Sequence, residues 1–307
     1  MNYSIIVEDL WKRYGSENIL NGISINVEKG GITALLGPNG SGKTTTIRII
    51  VGLIFPDRGK VEILGHNPFR DKDLFKKVGY VQEIPNLPGF FTARQLLEFS
   101  ASMKGVSRSE VRRVLELVEL KDVENKKIAK FSKGMVQRLA IAEALLGSPE
   151  VLILDEPYMG TDPIITMHIR DLIRRISKEY GVSVLMTSHI MEDVKELAQD
   201  IYVIYKGRII FHGTKEDLVK QFLGTRVIIE SRNLEALKRA ISELNYVSGI
   251  EDIDKEKIMV TLKEDKREEL LDYLISKGVK VKSFYLDLDL DRAYERAVKG
   301  DRENNPL

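Results

Sequence analysis

Short apolar runs alternate with longer amphipathic segments through most of the chain. The runs that read as strands cover residues 5–7, 23–27, 32–36, 151–154 and 182–186, and residues 44–53 have helical periodicity. The last two strand runs are apolar almost throughout, and each leads into a polar loop. Strands without polar alternation are buried on both faces, as in a parallel sheet covered by helices. The pattern therefore predicts an α/β core in which these strand runs form a parallel sheet covered by helices.

Two regions depart from this alternation. Residues 92–146 are mostly helical in pattern and lack a buried-strand run, which predicts a helical insertion within the α/β core. Beyond Gly224 the predicted strands lie near residues 226–230, 249–253, 257–262 and 279–286, with helices after the first and the third. This βαββαβ order is that of a ferredoxin-like α+β domain. We predict two domains, 1–224 and 225–307, the second ending in a short amphipathic helix and polar tail over 287–307.

Composition narrows the classes of partner and chemistry. Lys+Arg 47 against Asp+Glu 46 gives a net charge of +1, so no global attraction to nucleic acid or anionic membrane is expected. The absence of cysteine excludes disulfides, thiolate metal sites and cysteine nucleophiles, and is compatible with a reducing cytosol. No stretch approaches the ~20 apolar residues that span a bilayer. We expect a soluble chain, or one that associates with a membrane partner.

The segment "GPNGSGKTTT", residues 37–46, fits the phosphate-loop pattern G-x-x-x-x-G-K-[ST] between a buried strand and a helix. Backbone amides at the positive end of that helix are suited to phosphate oxygens. Lys43 is predicted to neutralise the β and γ phosphates, and the Thr44 hydroxyl to ligate Mg²⁺. The predicted nucleotide-binding residues are Gly37, Pro38, Asn39, Gly40, Ser41, Gly42, Lys43, Thr44 and Thr45. The alternative is a glycine-rich turn that binds nothing.

Two adjacent acids follow the buried run at residues 151–154. Asp155 is predicted as the metal carboxylate at the end of its strand, and Glu156 as a general base that polarises the attacking water. The alternative reading makes both residues the polar start of a loop.

A further segment, "FSKGMVQR" at residues 131–138, stands about twenty residues before the Asp155 strand. Ser132 is a good N-cap, and Gly134 permits close backbone approach at a helix end that favours anions. With these motifs in this order, residues 1 to about 220 resemble the ATP-binding subunit of an ABC transporter. The fold class implied is a P-loop ABC-type ATPase core with a helical insertion, joined to the small C-terminal domain.

The resemblance implies a shared ATP site. Ser132 and Gly134 would bind the γ-phosphate of ATP held by a second copy, which requires a head-to-tail homodimer. Asp162, in "GTDP", matches the aspartate of the loop that crosses this dimer interface; it also reads as the start of an Asp-Pro turn.

Other residues are matched to the nucleotide by the same resemblance. Gln82, in "VGYVQE", corresponds to the glutamine that senses Mg²⁺ and water, and His189, in "MTSH", to the histidine that contacts the γ-phosphate and fixes the water. Tyr14, in "WKRYG", matches the aromatic residue that stacks on adenine, with Trp11 as an alternative. On their residues alone, Gln82 reads as polar surface and His189 as structural.

The resemblance also has a subgroup. Lys133, Met135 and Thr161 depart from the family's commonest motifs, and the "SKGM" form resembles exporter ATPases that include drug-resistance types. This implies a peripheral subunit on the cytoplasmic face of the cell membrane, bound to a separate transmembrane permease, with no nucleic-acid partner. The coupling surface is expected near Gln82 and residues 84–99, unless that segment is only local core packing.

Two other functional classes stay open from the sequence. One is a soluble ABC ATPase that acts on nucleic acid or ribosomes, and the other is a regulatory module in which ATP is only a conformational ligand. In residues 225–307 we find no catalytic constellation and expect a regulatory or dimer-stabilising role. Asp287, Asp289 and Asp291 alternate with leucine, which favours solvated carboxylates over a metal site.

Overall fold

The computed structural model describes residues 2–304. The chain divides into two compact units, Met1–His212 and Gly213–Leu307. The first unit begins with β1 (Tyr3–Tyr14), β2 (Glu17–Glu28), β3 (Ile32–Leu36), α1 (Lys43–Ile50), β4 (Arg58–Ile63) and β5 (Val78–Val81). It continues with α2 (Ala93–Lys104), α3 (Arg108–Leu117), α4 (Lys133–Ala144), β6 (Val151–Leu154), α5 (Pro163–Tyr180), β7 (Ser183–Ser188), α6 (Met191–Lys195), β8 (Asp200–Tyr205) and β9 (Arg208–Gly213).

The larger sheet of the first unit has six strands in the order β5-β6-β7-β3-β8-β9. The pairs β5–β6, β6–β7, β3–β7 and β3–β8 are parallel. Its apolar strands β3 and β6 are fully buried, as the uninterrupted runs predict. Because the strands are parallel, the loops after β3, β5, β6 and β7 leave from the same edge of the sheet.

The smaller sheet of the first unit is antiparallel, with the order β2-β1-β4. The runs at residues 5–7 and 23–27, which we expected in one parallel sheet, lie here instead. Only Gly15 and Ser16 join β1 to β2, and a parallel pair needs a crossover of a dozen or more residues. Ile5 and Val27 of this sheet share one apolar core with Ile47 and Ile50 of α1.

The region predicted as a helical insertion contains α2, α3 and α4, which lie between β5 and β6 in the chain. Thr92 caps α2 through a reciprocal pair of hydrogen bonds with Gln95, and Gly105 closes the helix in a left-handed conformation. No helix in the described part of the chain is long and apolar enough to cross a membrane.

The second unit contains α7 (Lys215–Leu223), β10 (Thr225–Ser231), α8 (Leu234–Ser242), β11 (Val247–Asp252), β12 (Lys257–Leu262), α9 (Arg267–Ser276), β13 (Val281–Leu286) and α10 (Leu290–Asn304). Its antiparallel sheet has the order β11-β12-β10-β13. One face of the sheet packs against α8 and α9 through Val227, Ile229, Ile241 and Leu274.

The division between the units precedes α7, whereas the sequence placed the domain boundary after it, near Gly224. Helix α7 packs against α10 and β10, and therefore groups with the second unit. The amphipathic C-terminal helix is present as α10, and residues 305–307 of the predicted polar tail lie outside the described residues.

Candidate functional site

The phosphate loop follows β3 and leads directly into α1. A Cβ added to Gly37 would lie 2.3 Å from the carbonyl oxygen of Ile204, and Gly42 has φ 110°. Glycine meets both conditions because it lacks a Cβ and reaches positive φ without strain. Gly42 is also the N-cap of α1 and offers no side chain to the first N–H groups of the helix. Those groups remain available to an anion.

Lys43 is buried at the start of α1, and its ammonium group lies against the loop. Nζ is 2.8 Å from the carbonyl oxygen of Gly37 and 3.3 Å from that of Pro38. It is also 3.2 Å from Oε1 of Glu156. The sequence predicted a lysine for phosphate, but not this ion pair with the predicted base.

Asp155 follows β6 and is 1% exposed. Its Oδ1 accepts a hydrogen bond from the Thr187 hydroxyl at 2.6 Å and lies 3.5 Å from the Thr44 hydroxyl. Its Oδ2 is buried and has no hydrogen-bond partner among the described residues. Burial raises the pKa of the Asp155 carboxyl, and the hydrogen bonds from Thr187 and Thr44 only partly oppose that rise.

This arrangement fits Mg²⁺. The unpartnered Oδ2 of Asp155 and the hydroxyl of Thr44 are hard oxygen donors, and Mg²⁺ is usually held by one or two carboxylates, substrate phosphates and water. Within residues 2–304 no group of three or more acidic or histidine side chains could hold a metal ion alone. Phosphate oxygens and water would have to complete the coordination shell.

Glu156 is held between two basic groups. Its backbone has φ 47°, in the left-handed region that few residues other than glycine adopt. Oε2 lies 2.9 Å from Nδ1 of His189, and Oε1 contacts Lys43. A buried carboxylate with a histidine and an ammonium beside it is oriented on both oxygens.

Thr187 is the residue of this site that sequence reasoning missed. Its fully buried hydroxyl donates to Asp155 and accepts from the backbone N–H of Glu156 at 2.9 Å. One side chain therefore positions both acids. The signal available in the sequence is a hydroxyl at the end of a buried strand, two residues before the predicted histidine.

Gln82 lies at the same edge of the sheet. It follows Val81, which pairs in register with Leu154 and accepts a hydrogen bond from the N–H of Asp155 at 2.9 Å. The side chain of Gln82 is exposed.

A cavity of about 380 Å³ opens beside Glu156, lined by residues that include Asn39, Glu83, Glu156, Tyr158 and His189. Space for a substrate is therefore available next to the predicted base.

The segment "FSKGMVQR", residues 131–138, leads into α4, and the Asp162 loop leads into α5. Ser132 caps α4 by accepting from the N–H of Met135, and Asp162 caps α5 by accepting from the N–H of Ile165. A Cβ added to Gly134 would lie 2.4 Å from Cδ1 of Ile165. The two helix starts thus pack directly together. The N-cap role predicted for Ser132 is confirmed, and Asp162, read from the sequence as the start of an Asp-Pro turn, is an N-cap as well.

The two aromatic candidates for adenine differ in their surroundings. Trp11 packs against Gly22, and its indole N–H donates to Asp9 at 2.7 Å. Tyr14 is 48% exposed, with the Lys12 ammonium 5.5 Å from the ring centroid. Tyr14 is thus the freer of the two aromatic faces.

Segment 84–99 contains both core and exposed apolar side chains. Leu96 and Leu97 are buried, whereas Phe90 is 73% exposed. A groove of about 360 Å³ beside it is lined in part by Gln82, Pro85, Pro88, Phe91 and Phe99. The segment therefore contributes to the core and still presents an apolar surface.

Two acids of the run in the second unit take part in local contacts. Asp287 lies 3.0 Å from Arg226, and Asp289 accepts a hydrogen bond from the N–H of Arg292 at the start of α10. Asp287, which the sequence pattern predicted as a solvated carboxylate, is therefore ion-paired, and Asp289 is an acceptor at a helix start.

The geometry of this site is that of a P-loop nucleoside triphosphatase. A phosphate loop, a carboxylate suited to a metal ion and an oriented glutamate lie at one edge of a parallel sheet.

Comparison with known proteins narrows the class. Residues 20–159 match the family model described as ABC transporter. The chain is 41% identical over 212 residues to the bacitracin transport ATP-binding protein BcrA of Bacillus licheniformis, covering 68% of this chain and 69% of that protein. It is 38% identical over 252 residues to the linearmycin resistance ATP-binding protein LnrL of Bacillus subtilis (strain 168), covering 79% and 80%.

Solved structures agree with these matches. One described as the ATP-binding subunit of an ABC transporter is 30% identical, with a TM-score of 0.66 over 72% of this chain and 93% of that chain. Another, 25% identical with a TM-score of 0.63, is a dimeric ATP-binding cassette in a post-hydrolysis state with ADP and Pi, and covers 68% and 98%. The chain belongs to the ATP-binding subunits of ABC transporters. It is an ATPase that uses ATP and Mg²⁺.

Proposed function

We propose that this chain hydrolyses ATP to drive export through a separate transmembrane permease, to which it binds at the cytoplasmic face of the membrane. The observation that carries the ATPase part is the convergence of Lys43, Asp155, Glu156 and His189 around one loop. Relatives named for bacitracin transport, lantibiotic transport and linearmycin resistance support the export part.

The contacts described above support a set of nucleotide-binding residues. The amides of residues 40–45 and the Lys43 ammonium would bind the phosphates, and the Tyr14 ring would stack on adenine. Thr44 and Asp155 would hold Mg²⁺, with Gln82 at its outer side. Mg²⁺ supplies positive charge that neutralises the β- and γ-phosphate oxygens during transfer.

The contacts of Lys43 provide a reason why phosphate binding would precede proton transfer to Glu156. Its ammonium is shared among two loop carbonyls and Oε1 of Glu156. Phosphate oxygens carry more negative charge than carbonyl oxygens and would draw Lys43 toward them. Oε1 of Glu156 would then be released to accept a proton from the attacking water, while His189 keeps hold of Oε2.

We propose that two copies assemble head to tail, with Ser132 and Gly134 of one copy facing the ATP of the other. The packing of Gly134 on Ile165 and the cap that Asp162 gives α5 support one shared surface. The exposed apolar side chains of residues 84–99 are proposed to receive a helix of the permease. A nucleic-acid partner is not favoured, because the net charge is only +1.

For the C-terminal region we propose a ferredoxin-like domain formed by residues 225–286 with α10 attached. The support is the strand order β11-β12-β10-β13, with α8 and α9 on one face of the sheet. We propose a regulatory or dimer-stabilising role for it.

A Glu156→Gln variant tests the ATPase mechanism. Removing the base should lower steady-state phosphate release by about 10²–10⁴-fold while ATP is retained, so the variant should elute as a dimer in Mg·ATP. Glu150→Gln, at an exposed acid paired with Lys77, is the matched control and should behave as the parent chain. Monomeric elution of Glu156→Gln in Mg·ATP would contradict the shared site.

Affinity purification of the tagged chain from gently solubilised native membranes tests the transport assignment separately. A multi-span membrane protein should co-purify and be identified by mass spectrometry. Recovery only of ribosomal or DNA-associated proteins would leave the ATPase chemistry intact and overturn the transport role.

A further inference from the structure

The second unit has a basic pocket on the face of its sheet opposite α8 and α9. Its cavity of about 220 Å³ is lined by Leu223, Arg226, Ser248, Gly249, Glu251, Thr261, Arg292 and Arg296. Adjacent residues of a strand point to opposite faces, so Arg226 faces away from the core that contains Val227. Arg226 pairs in register with Thr261 on β12, which pairs in turn with Gly249 on β11. The strand residues of the lining therefore come together through the register of the sheet, and α7 and α10 supply the others.

Arg226 is the buried charge of this pocket. It is 6% exposed, and its Nη2 lies 3.0 Å from Oδ2 of Asp287. Nε and Nη2 otherwise face the thioether sulfur of Met259, which is a weak acceptor. Nη1 is buried and has no hydrogen-bond partner among the described residues. A buried guanidinium is stable when its N–H groups are paired, and this one is only partly paired.

Two further guanidinium groups come from α10. Arg292 and Arg296 are one helical turn apart and exposed, and Arg296 donates to the carbonyl of Phe222 at 3.2 Å. Ser248 and Thr261 add hydroxyl groups, and Glu251 is the acid in the lining. Asp287 offsets Arg226, so the remaining lining charges are two arginines against one glutamate, a net positive pocket.

We infer that this pocket binds a small oxyanion, the phosphate or carboxylate group of a small molecule. Arginine is suited to both groups because its planar fork donates two parallel hydrogen bonds to them. A volume of about 220 Å³ is below the ~300–1,000 Å³ of sites for drug-sized ligands, so the ligand is small. The site is separate from the ATP site, since every lining residue belongs to the second unit.

Calorimetric titration of the full chain with inorganic phosphate, and separately with malonate, tests the inference. The Lys43→Ala background should weaken phosphate binding at the ATP site by about a hundredfold or more, and ionic strength is held constant. Saturable binding of one equivalent is expected for at least one anion. Binding of phosphate alone identifies a phosphate ligand, and binding of malonate alone identifies a carboxylate.

Substitutions of the lining residues should then change the affinity for the anion in opposite directions. Arg292→Ala and Arg296→Ala should each lower the affinity for the anion by about tenfold or more, because each removes a charge-assisted hydrogen bond. Glu251→Gln should tighten it, because a repelling carboxylate is lost. Arg239→Ala, at an exposed position on α8, is the matched control and should leave affinity unchanged.

All four positions are exposed, so the variants should fold, which circular dichroism can verify. Absence of saturable binding by both anions overturns the inference. Undiminished affinity in both arginine variants overturns it as well. Neither result bears on ATP hydrolysis, which is measured on the chain with Lys43 intact.

Discussion

Each of the two units buries a charged side chain that the described residues only partly satisfy. In the first unit Asp155 has a buried Oδ2 without a partner, and in the second Arg226 has a buried Nη1 without one. Asp155 stands just beyond the end of a parallel strand, whereas Arg226 lies within an antiparallel strand. An unpartnered polar atom in the interior is costly, so both positions are where a ligand would improve the free energy of the folded chain. The first would take a cation and the second an anion.

The largest effect is expected from Lys43→Ala, which removes the ammonium group that lies against the phosphate loop in the first unit. ATP affinity should fall by about a hundredfold or more, because a buried charge-assisted contact to phosphate is lost. Fluorescent nucleotide titration measures this. Lys178→Ala, at an exposed position of α5, should bind ATP as the parent chain does. Unchanged ATP affinity in Lys43→Ala would contradict the prediction that this loop binds the phosphates of ATP.

Arg226→Leu tests the second buried charge. The change leaves Asp287 without its guanidinium, and the free energy of unfolding should fall by about 2–3 kcal/mol, less than for a fully buried pair because Asp287 is partly exposed. The double variant Arg226→Leu/Asp287→Leu should recover most of the loss. Urea unfolding of the full chain measures both. A double variant as unstable as the single one would show that the ion pair is not the source of the effect.

Thr187→Val removes the hydroxyl that joins the two acids at nearly constant volume. The backbone N–H of Glu156 and Oδ1 of Asp155 each lose a buried hydrogen bond, so stability should fall by about 1–3 kcal/mol. Phosphate release should fall with it, and Thr187→Ser should restore both. Full activity in Thr187→Val would mean that Thr187 fills space without positioning the acids.

The smallest expected effect is a gain in stability. Burial raises the pKa of Asp155 above its unfolded value, so at neutral pH the ionised carboxylate destabilises the fold, and this cost fades as the pH falls through the raised pKa. Asp155→Asn should therefore raise the thermal midpoint by a few degrees at neutral pH without nucleotide. The difference from the parent chain should shrink on acidification. Mg·ATP should stabilise the parent more than the variant, and an equal shift in both would contradict the metal role.

The same comparison separates what the sequence could predict from what it could not. Asp155 was predictable because an apolar strand, a glycine-rich loop and a fixed motif order surround it. Arg226 was not, because an arginine that alternates with apolar residues on a strand ordinarily faces solvent. Its burial depends on Asp287, Met259 and α10, which are distant in sequence.

Other features of the fold and the site that the sequence did not predict also have physical causes. The two strands at the N-terminus were expected in the parallel sheet because periodicity carries no information on strand direction, which the short turn at Gly15 decides. The contact between Lys43 and Glu156 was not predicted, since motifs assign each residue to the nucleotide and not to each other. Helix α7 groups with the second unit through contacts that periodicity does not indicate, because its partner α10 lies at the far end of the chain.

The contact between Gly134 and Ile165 restricts the mutational paths open to this protein. A codon change at position 134 that replaces glycine adds a Cβ, which would lie 2.4 Å from one carbon of Ile165 and 2.6 Å from another. Any other residue at position 134 therefore requires the Ile165 side chain to shift. A smaller residue at position 165, in the first turn of α5, would remove that requirement, so the variation tolerated at position 134 depends on the residue at position 165.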